Sequence, residues 1–204
     1  MIHFACIAPH PPIILSHVGS KNDREQVKKT IESLSNLASK FKQLEIERII
    51  ISSPHPDWGF NVPLHFLAPD FKGEIIKYLT DAQTPKAYFD QGKEVYKALI
   101  KKSDARIALI ASGDLSHVLK ADGPYGFHSD GPKFDQALAS YLMEKDIKKI
   151  LNLNQDYPEA GECGLRSFSF ILGILKASAI DWETDILSYE GPFGVGYLVA
   201  EFKL

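Results

Sequence analysis

Apolar positions along the chain follow two alternating rhythms. Short unbroken runs, "IHFACIA" at 2–8, "RIIIS" at 48–52 and "ARIALIAS" at 105–112, halt at a Pro or Gly soon afterwards. That is the pattern of strands buried on both faces. Between the first two, Val27, Ile31, Leu34, Ala38, Phe41 and Leu44 recur in steps of three and four, which predicts one amphipathic helix over 20–45. Strand, long helix, strand is the unit of a parallel sheet with a right-handed crossover.

Further along, "PLHFLAP" (63–69) and "EIIKYL" (74–79) predict two shorter strands, and "PKAYFDQGKEVYKALIKK" (85–102) predicts a helix with Pro in its first turn. The Gly- and Pro-dense stretch "KADGPYGFHSDGP" (120–132) predicts a loop, followed by a helix at 133–143 and a short one at 146–151. "GECGLRSFSFILGILKAS" (161–178) reads as a helix entered through a Gly-rich turn, and "TDILSYE" and "GVGYLVAEF" as strands joined around Gly191-Pro192. No repeat, linker or compositional break divides the chain. The expectation is a single α/β domain over 1–204, in three layers, with a central, mostly parallel sheet flanked by helices.

Three of the expected strands end in a turn that carries a histidine: His10 in "APHPP", His55 in "SPHP" and His117 in "SGDLSH". Proline on both sides of His10 and His55 fixes φ at two points and removes two amide donors, so each imidazole stands on a nearly rigid turn outside any helix. Parallel strands of an open sheet bring their C-terminal ends to one edge, where ligands bind. Imidazoles converging there are the start of a metal site, and a metal needs a further donor. Glu162 is the first candidate and the adjacent Cys163 its competitor. Side chains of neighbouring helical residues diverge by about 100°, so only one of the two would face the metal. Asp114 could be a ligand, a partner that orients a His, or a helix cap. Two His and one carboxylate suit Fe(II) oxygenases and zinc hydrolases alike. In the 120–132 loop, Tyr125, Phe127 and His128 could contact an aromatic ring, His128 as a second acid–base or binding group.

Composition narrows the alternatives. The 204 residues are 45% hydrophobic and 24% charged, as in ordinary globular proteins, and a net charge of −3 gives no reason for a nucleic-acid or membrane-surface partner. No apolar run approaches the roughly 20 residues that span a bilayer. The first apolar stretch has no basic region ahead of it, so a signal peptide is not expected. Cys6 and Cys163 form neither a CxxC nor a disulfide framework, which points to a reduced, cytoplasmic protein.

Taken together and in order, "APHPP" (8–12), "SPHP" (53–56), "SGDLSH" (112–117) and "FGVGYLVAEF" (193–202) resemble the class III extradiol dioxygenase superfamily, most closely its LigB-like catalytic-subunit domain and the related Memo-like proteins. In the dioxygenase branch the resemblance implies Fe(II) held by His10, His55 and Glu162, with His117 as acid–base group, a small aromatic diol as substrate and O₂ as co-substrate. In the Memo-like branch it implies a metal held by His10, His55, His117 and Cys163 in a binding or interaction role. Zn is the alternative metal, and a homo-oligomer is an expectation of the likeness.

Overall fold

In the structure, a computed structural model describing residues 1–204, six strands form one sheet in the order β3-β2-β4-β1-β6-β5. The strands are β1 (Ile2–Ala8), β2 (Arg48–Ser53), β3 (Glu74–Leu79), β4 (Ile107–Ser112), β5 (Glu183–Glu190) and β6 (Tyr197–Lys203). β1, β2, β3 and β4 pair in parallel, and β6 runs antiparallel to both of its neighbours, β1 and β5. The helices are α1 (Lys21–Gln26), α2 (Lys28–Gln43), α3 (Trp58–Leu67), α4 (Pro85–Val95), α5 (Asp130–Met143), α6 (Ile147–Ile150), α7 (Leu153–Asp156) and α8 (Leu165–Ser178). No helix is long and apolar enough to cross a membrane.

Alternation along the central strands creates the three layers. Ala5, Ile7, Ile50, Ile107 and Leu109 point into a core shared with Phe89, Phe134, Phe168 and Ile171 from α4, α5 and α8. Their neighbours Phe4, Cys6, Ile49, Ile51 and Ile110 point the other way, onto Leu34, Leu37 and Phe60 of α2 and α3. Because the strands are buried on both faces, their sequences read as continuous apolar runs. β4 lies between β1 and β2, so the turns after these three strands open side by side at one edge.

Several boundaries differ from expectation. The helix expected over 20–45 is two helices. Ser20 and Asp23 form a reciprocal capping box that starts α1, and Val27 then leaves helical geometry (φ −115, ψ 23) before α2 begins. The stretch 63–69, expected as a strand, belongs mainly to α3. Its apolar run does not alternate, and such a run fits a buried helix as well as a strand. Pro63 inside α3 has no N–H for the Gly59 carbonyl four residues earlier, so one helical hydrogen bond is missing there. That carbonyl is not wasted: it accepts the Ser112 hydroxyl at 2.5 Å. The helix expected from 85 ends in a π-helical turn at Tyr96–Ile100, and the helix expected over 161–178 begins only at Leu165.

α4 and α8 pack closely through two glycines. A Cβ at Gly92 would lie 2.0 Å from the Phe170 carbonyl oxygen, and one at Gly173 would lie 2.0 Å from that of Phe89. Alanine normally favours a helix interior over glycine by about 1 kcal/mol. Here the obstacle is backbone and cannot rotate away, so overpacking of roughly 1–3 kcal/mol or more dominates. Gly92→Ala and Gly173→Ala are each expected to lower the denaturant midpoint; an unchanged or raised midpoint would show that the helices can separate at little cost.

Candidate metal centre

His10 stands beyond the end of β1, in the turn fixed by Pro9 and Pro11, and is almost fully buried. Its backbone N–H donates to Asp114 Oδ1 at 3.0 Å, which ties the β1 turn to the segment after β4. Its Nδ1 lies 2.9 Å from Ser112 Oγ. Ser112 has one hydroxyl proton and gives it to the Gly59 carbonyl, an atom that can only accept. Ser112 Oγ must therefore accept from His10, which places the imidazole proton on Nδ1 and the free lone pair on Nε2. That Nε2 faces Cys163 Sγ at 3.6 Å and Asp114 Oδ2 at 3.9 Å. Burial, and then the proximity of His55, lower the His10 pKa to about 3, so the ring is neutral and able to ligate.

His55 follows β2. Its ring meets that of His10 edge-on at 5.3 Å between centroids. His55 is also stacked by Trp58, 5.2 Å away at 26° and 45% exposed. The intervening Asp57 has φ 55 and ψ −101, a strained conformation for a residue with a Cβ. It turns the chain sharply so that α3 starts with Trp58 over the imidazole.

Cys163 completes the cluster from the turn before α8. One ligand atom from each of His10, His55 and Cys163 lies within 4.8 Å of the other two. The thiol is held in place by the Asp114 backbone, whose N–H donates to Sγ at 3.4 Å and whose carbonyl lies 3.7 Å from it. Burial and the Asp114 charge push the thiol pKa well up, so a cation between these groups would offset what now opposes a thiolate. Two imidazoles and a sulfur facing one point form a donor set that fits a metal ion.

The other expected residues take different places. Glu162 is not in the group: its Oε2 accepts the Leu165 N–H at 2.6 Å, so it caps the start of α8. With α8 starting at Leu165 and not at 161, Glu162 and Cys163 both lie in the turn that precedes the helix. Asp114 is buried, with a pKa raised to about 6 by desolvation against the pull of the His10 N–H, and it orients His10 and Cys163. His117 lies half-buried beside the group without belonging to it. Its Nδ1 is buried with no hydrogen-bond partner, burial lowers its pKa against the charge of Asp114, and the Tyr125 ring meets it edge-on at 5.4 Å. His128 is exposed and faces Asp130 at 3.7 Å, at the start of α5, while Phe127 is exposed in the 120–132 loop. The residues that sequence reasoning missed are Ser112 and Trp58. The only sequence signals for them were a hydroxyl at the last position of a buried strand and an aromatic three residues after a Pro-flanked His.

A family model described as "Catalytic LigB subunit of aromatic ring-opening dioxygenase" matches residues 55–200, which include His55, Asp114, His117 and Cys163 and exclude His10. Protein CA_C1420 of Clostridium acetobutylicum is 39% identical over 149 residues, covering 72% of this chain and 31% of that protein. The chain thus spans about a third of the length of that relative. The crystal structure of the uncharacterized protein JW3007 from Escherichia coli K12 superposes with a TM-score of 0.60 at 11% identity, over 97% of this chain and 98% of that one, which shows a shared fold. The chain belongs to the LigB family, that of the catalytic subunit of aromatic ring-opening dioxygenases.

Proposed function

We propose that the chain is a metal-dependent oxygenase that opens a small aromatic diol with O₂, its metal held by His10, His55 and Cys163. The observation that carries the reading is the convergence of these three donors, with His10 Nε2 left unprotonated, at one sheet edge of a chain that belongs to the family of ring-opening dioxygenase catalytic subunits. Fe(II), the proposed ion, would supply charge neutralisation and one-electron chemistry with O₂ when bound. His117, beside the donors and outside their group, would take a proton from a ring hydroxyl and return one as the ring opens. Trp58 and Tyr125, flanking His55 and His117, offer aromatic surface to a planar ring. Ser112 would keep the His10 lone pair aimed at the metal.

One observation favours a second reading. A thiol stands where the dioxygenase pattern has a carboxylate, and thiolate suits softer ions such as Zn or Cu(I). That donor set shares three of the four donors implied by the Memo-like likeness, all but His117, and such a protein would hold metal without turning over a diol. Anaerobic loading with Fe(II), metal analysis, and oxygen uptake with a panel of catechols separate the two. One iron per chain and a yellow ring-opened product support the oxygenase; tight metal with no uptake favours the Memo-like role.

Three outcomes follow from the residue assignments. His10→Ala, His55→Ala and Cys163→Ser should each weaken metal binding at least about 100-fold, more than loss of an outer-sphere partner does, while Glu162→Gln leaves it unchanged. Equal affinity in Cys163→Ser and wild type would remove the thiolate from the centre. His117→Ala should keep the metal and lose about 10²–10⁴ in turnover, whereas loss of metal would make His117 a ligand. Ser112→Ala should cost about 10- to 100-fold in metal affinity at unchanged stoichiometry. It should also shift the His10 tautomer in long-range ¹H–¹⁵N spectra of metal-free protein, and unaltered spectra would dispose of the hydroxyl's role.

A further inference from the structure

Asp135, on α5, is a buried acid that the proposed chemistry leaves without a role. It is 3% exposed, and no Lys, Arg or His pairs with it. Its Oδ1 accepts the Ser116 N–H at 2.8 Å and its Oδ2 accepts the Tyr189 O–H at 2.6 Å. The start of β6 passes close against it: a Cβ at Gly196 would lie 2.3 Å from Oδ2. An ionised carboxylate buried without a counter-charge is costly, and burial raises this one to about 6. A neutral acceptor would satisfy one amide at lower cost, so the position of that amide matters.

The amide belongs to the residue before His117. Across this segment the Leu115 N–H donates to the Gly196 carbonyl at 2.8 Å and the His117 N–H to the Ala160 carbonyl at 3.1 Å. Gly196 N–H in turn donates to the Ser116 carbonyl at 2.8 Å. The Ser116 N–H between them is met by the Asp135 side chain from α5. With Leu115, Ser116 and His117 clamped from three directions, the His117 Cα–Cβ direction is set before any ligand arrives. We infer that Asp135 is a positioning residue, which holds the Leu115–Ser116 peptide, the one that leads into the Ser116–His117 peptide gripped by Gly196 and Ala160, so that the His117 imidazole stands beside the His10–His55–Cys163 group without joining it. Tyr189 is the second anchor, because it stops the carboxylate from turning away from the amide. This inference rests on the reading of His117 as the acid–base group.

The test compares Asp135→Ala, which deletes the acceptor, with Asp135→Asn, whose amide carbonyl retains one. In long-range ¹H–¹⁵N spectra of metal-free protein, Asp135→Ala should move the His117 ring signals and leave those of His10 and His55 in place. Asp135→Asn should restore them. In Fe(II)-loaded protein with a catechol, Asp135→Ala should lower kcat at least about tenfold, a fraction of a full acid–base contribution, with KM and metal content unchanged. His117 signals that stay put, or signals of all three histidines that move together, would overturn the positioning role. Should Asp135→Ala fail to fold, Tyr189→Phe carries the test: a smaller displacement of His117 alone is expected, and none would overturn it. If the wild-type protein turns over no catechol, the oxygenase reading falls, while the imidazole spectra still decide the role of Asp135.

Discussion

The candidate centre depends on where one proton sits. Ser112 ends β4 with a hydroxyl that can donate once, and the nearest acceptor is the carbonyl that Pro63 leaves without its helical N–H. Donation there obliges the oxygen to accept from His10 Nδ1, and only then is Nε2 free for a ligand. A helix-disrupting proline in α3, a serine on β4 and a histidine after β1 thus form one relay through three elements. The relay explains why a proline is tolerated inside α3: the bond it removes is replaced by one that fixes a tautomer. It also couples core geometry to the chemistry of the site, because any shift of α3 against β4 moves the proton's acceptor.

The turns around this relay are built to resist motion. Pro residues bracket His10 and His55, Asp57 is held at positive φ, and Asp114 uses its side chain for the His10 amide and its backbone for Cys163. Conformational entropy is thereby lost in folding and not on ligand binding, which is the general route to a preorganised site. The costs are visible. Asp57 carries strain of about 1–3 kcal/mol, and Asp114 is an acid buried with its pKa raised to about 6.

The layout of the sheet was legible because buried parallel strands leave continuous apolar runs, and β1, β2, β4 and the helix face at Leu34 and Phe41 all lay in such runs or periods. α3 was not legible as a helix: a short apolar run containing Pro63 has no periodicity to choose its type, and the compensating donor lies about fifty residues away. His10 and His55 could be read because proline leaves a local signature. Ser112, Trp58 and Asp135 could not, since their partners are chosen by tertiary packing. Between Glu162 and Cys163 the sequence left both open, and the position of the first helical turn of α8 separates them.

That separation bears on how a family chemistry can be redirected within one fold. Replacing a carboxylate donor by the adjacent thiol needs no change in the sheet, only that the helix begin two residues later than the sulfur, at Leu165. The carboxylate is then free to cap α8, where a negative charge is favourable at a helix start, while the sulfur turns toward His10. In the proposed centre such an exchange would keep three donors at the edge but trade a hard oxygen for a soft, polarizable sulfur, which would change the ions that bind best and the redox behaviour available to them. The strand-end histidines supply the frame in either case. The start of α8 therefore sets which of the two side chains, Glu162 or Cys163, stands beside them.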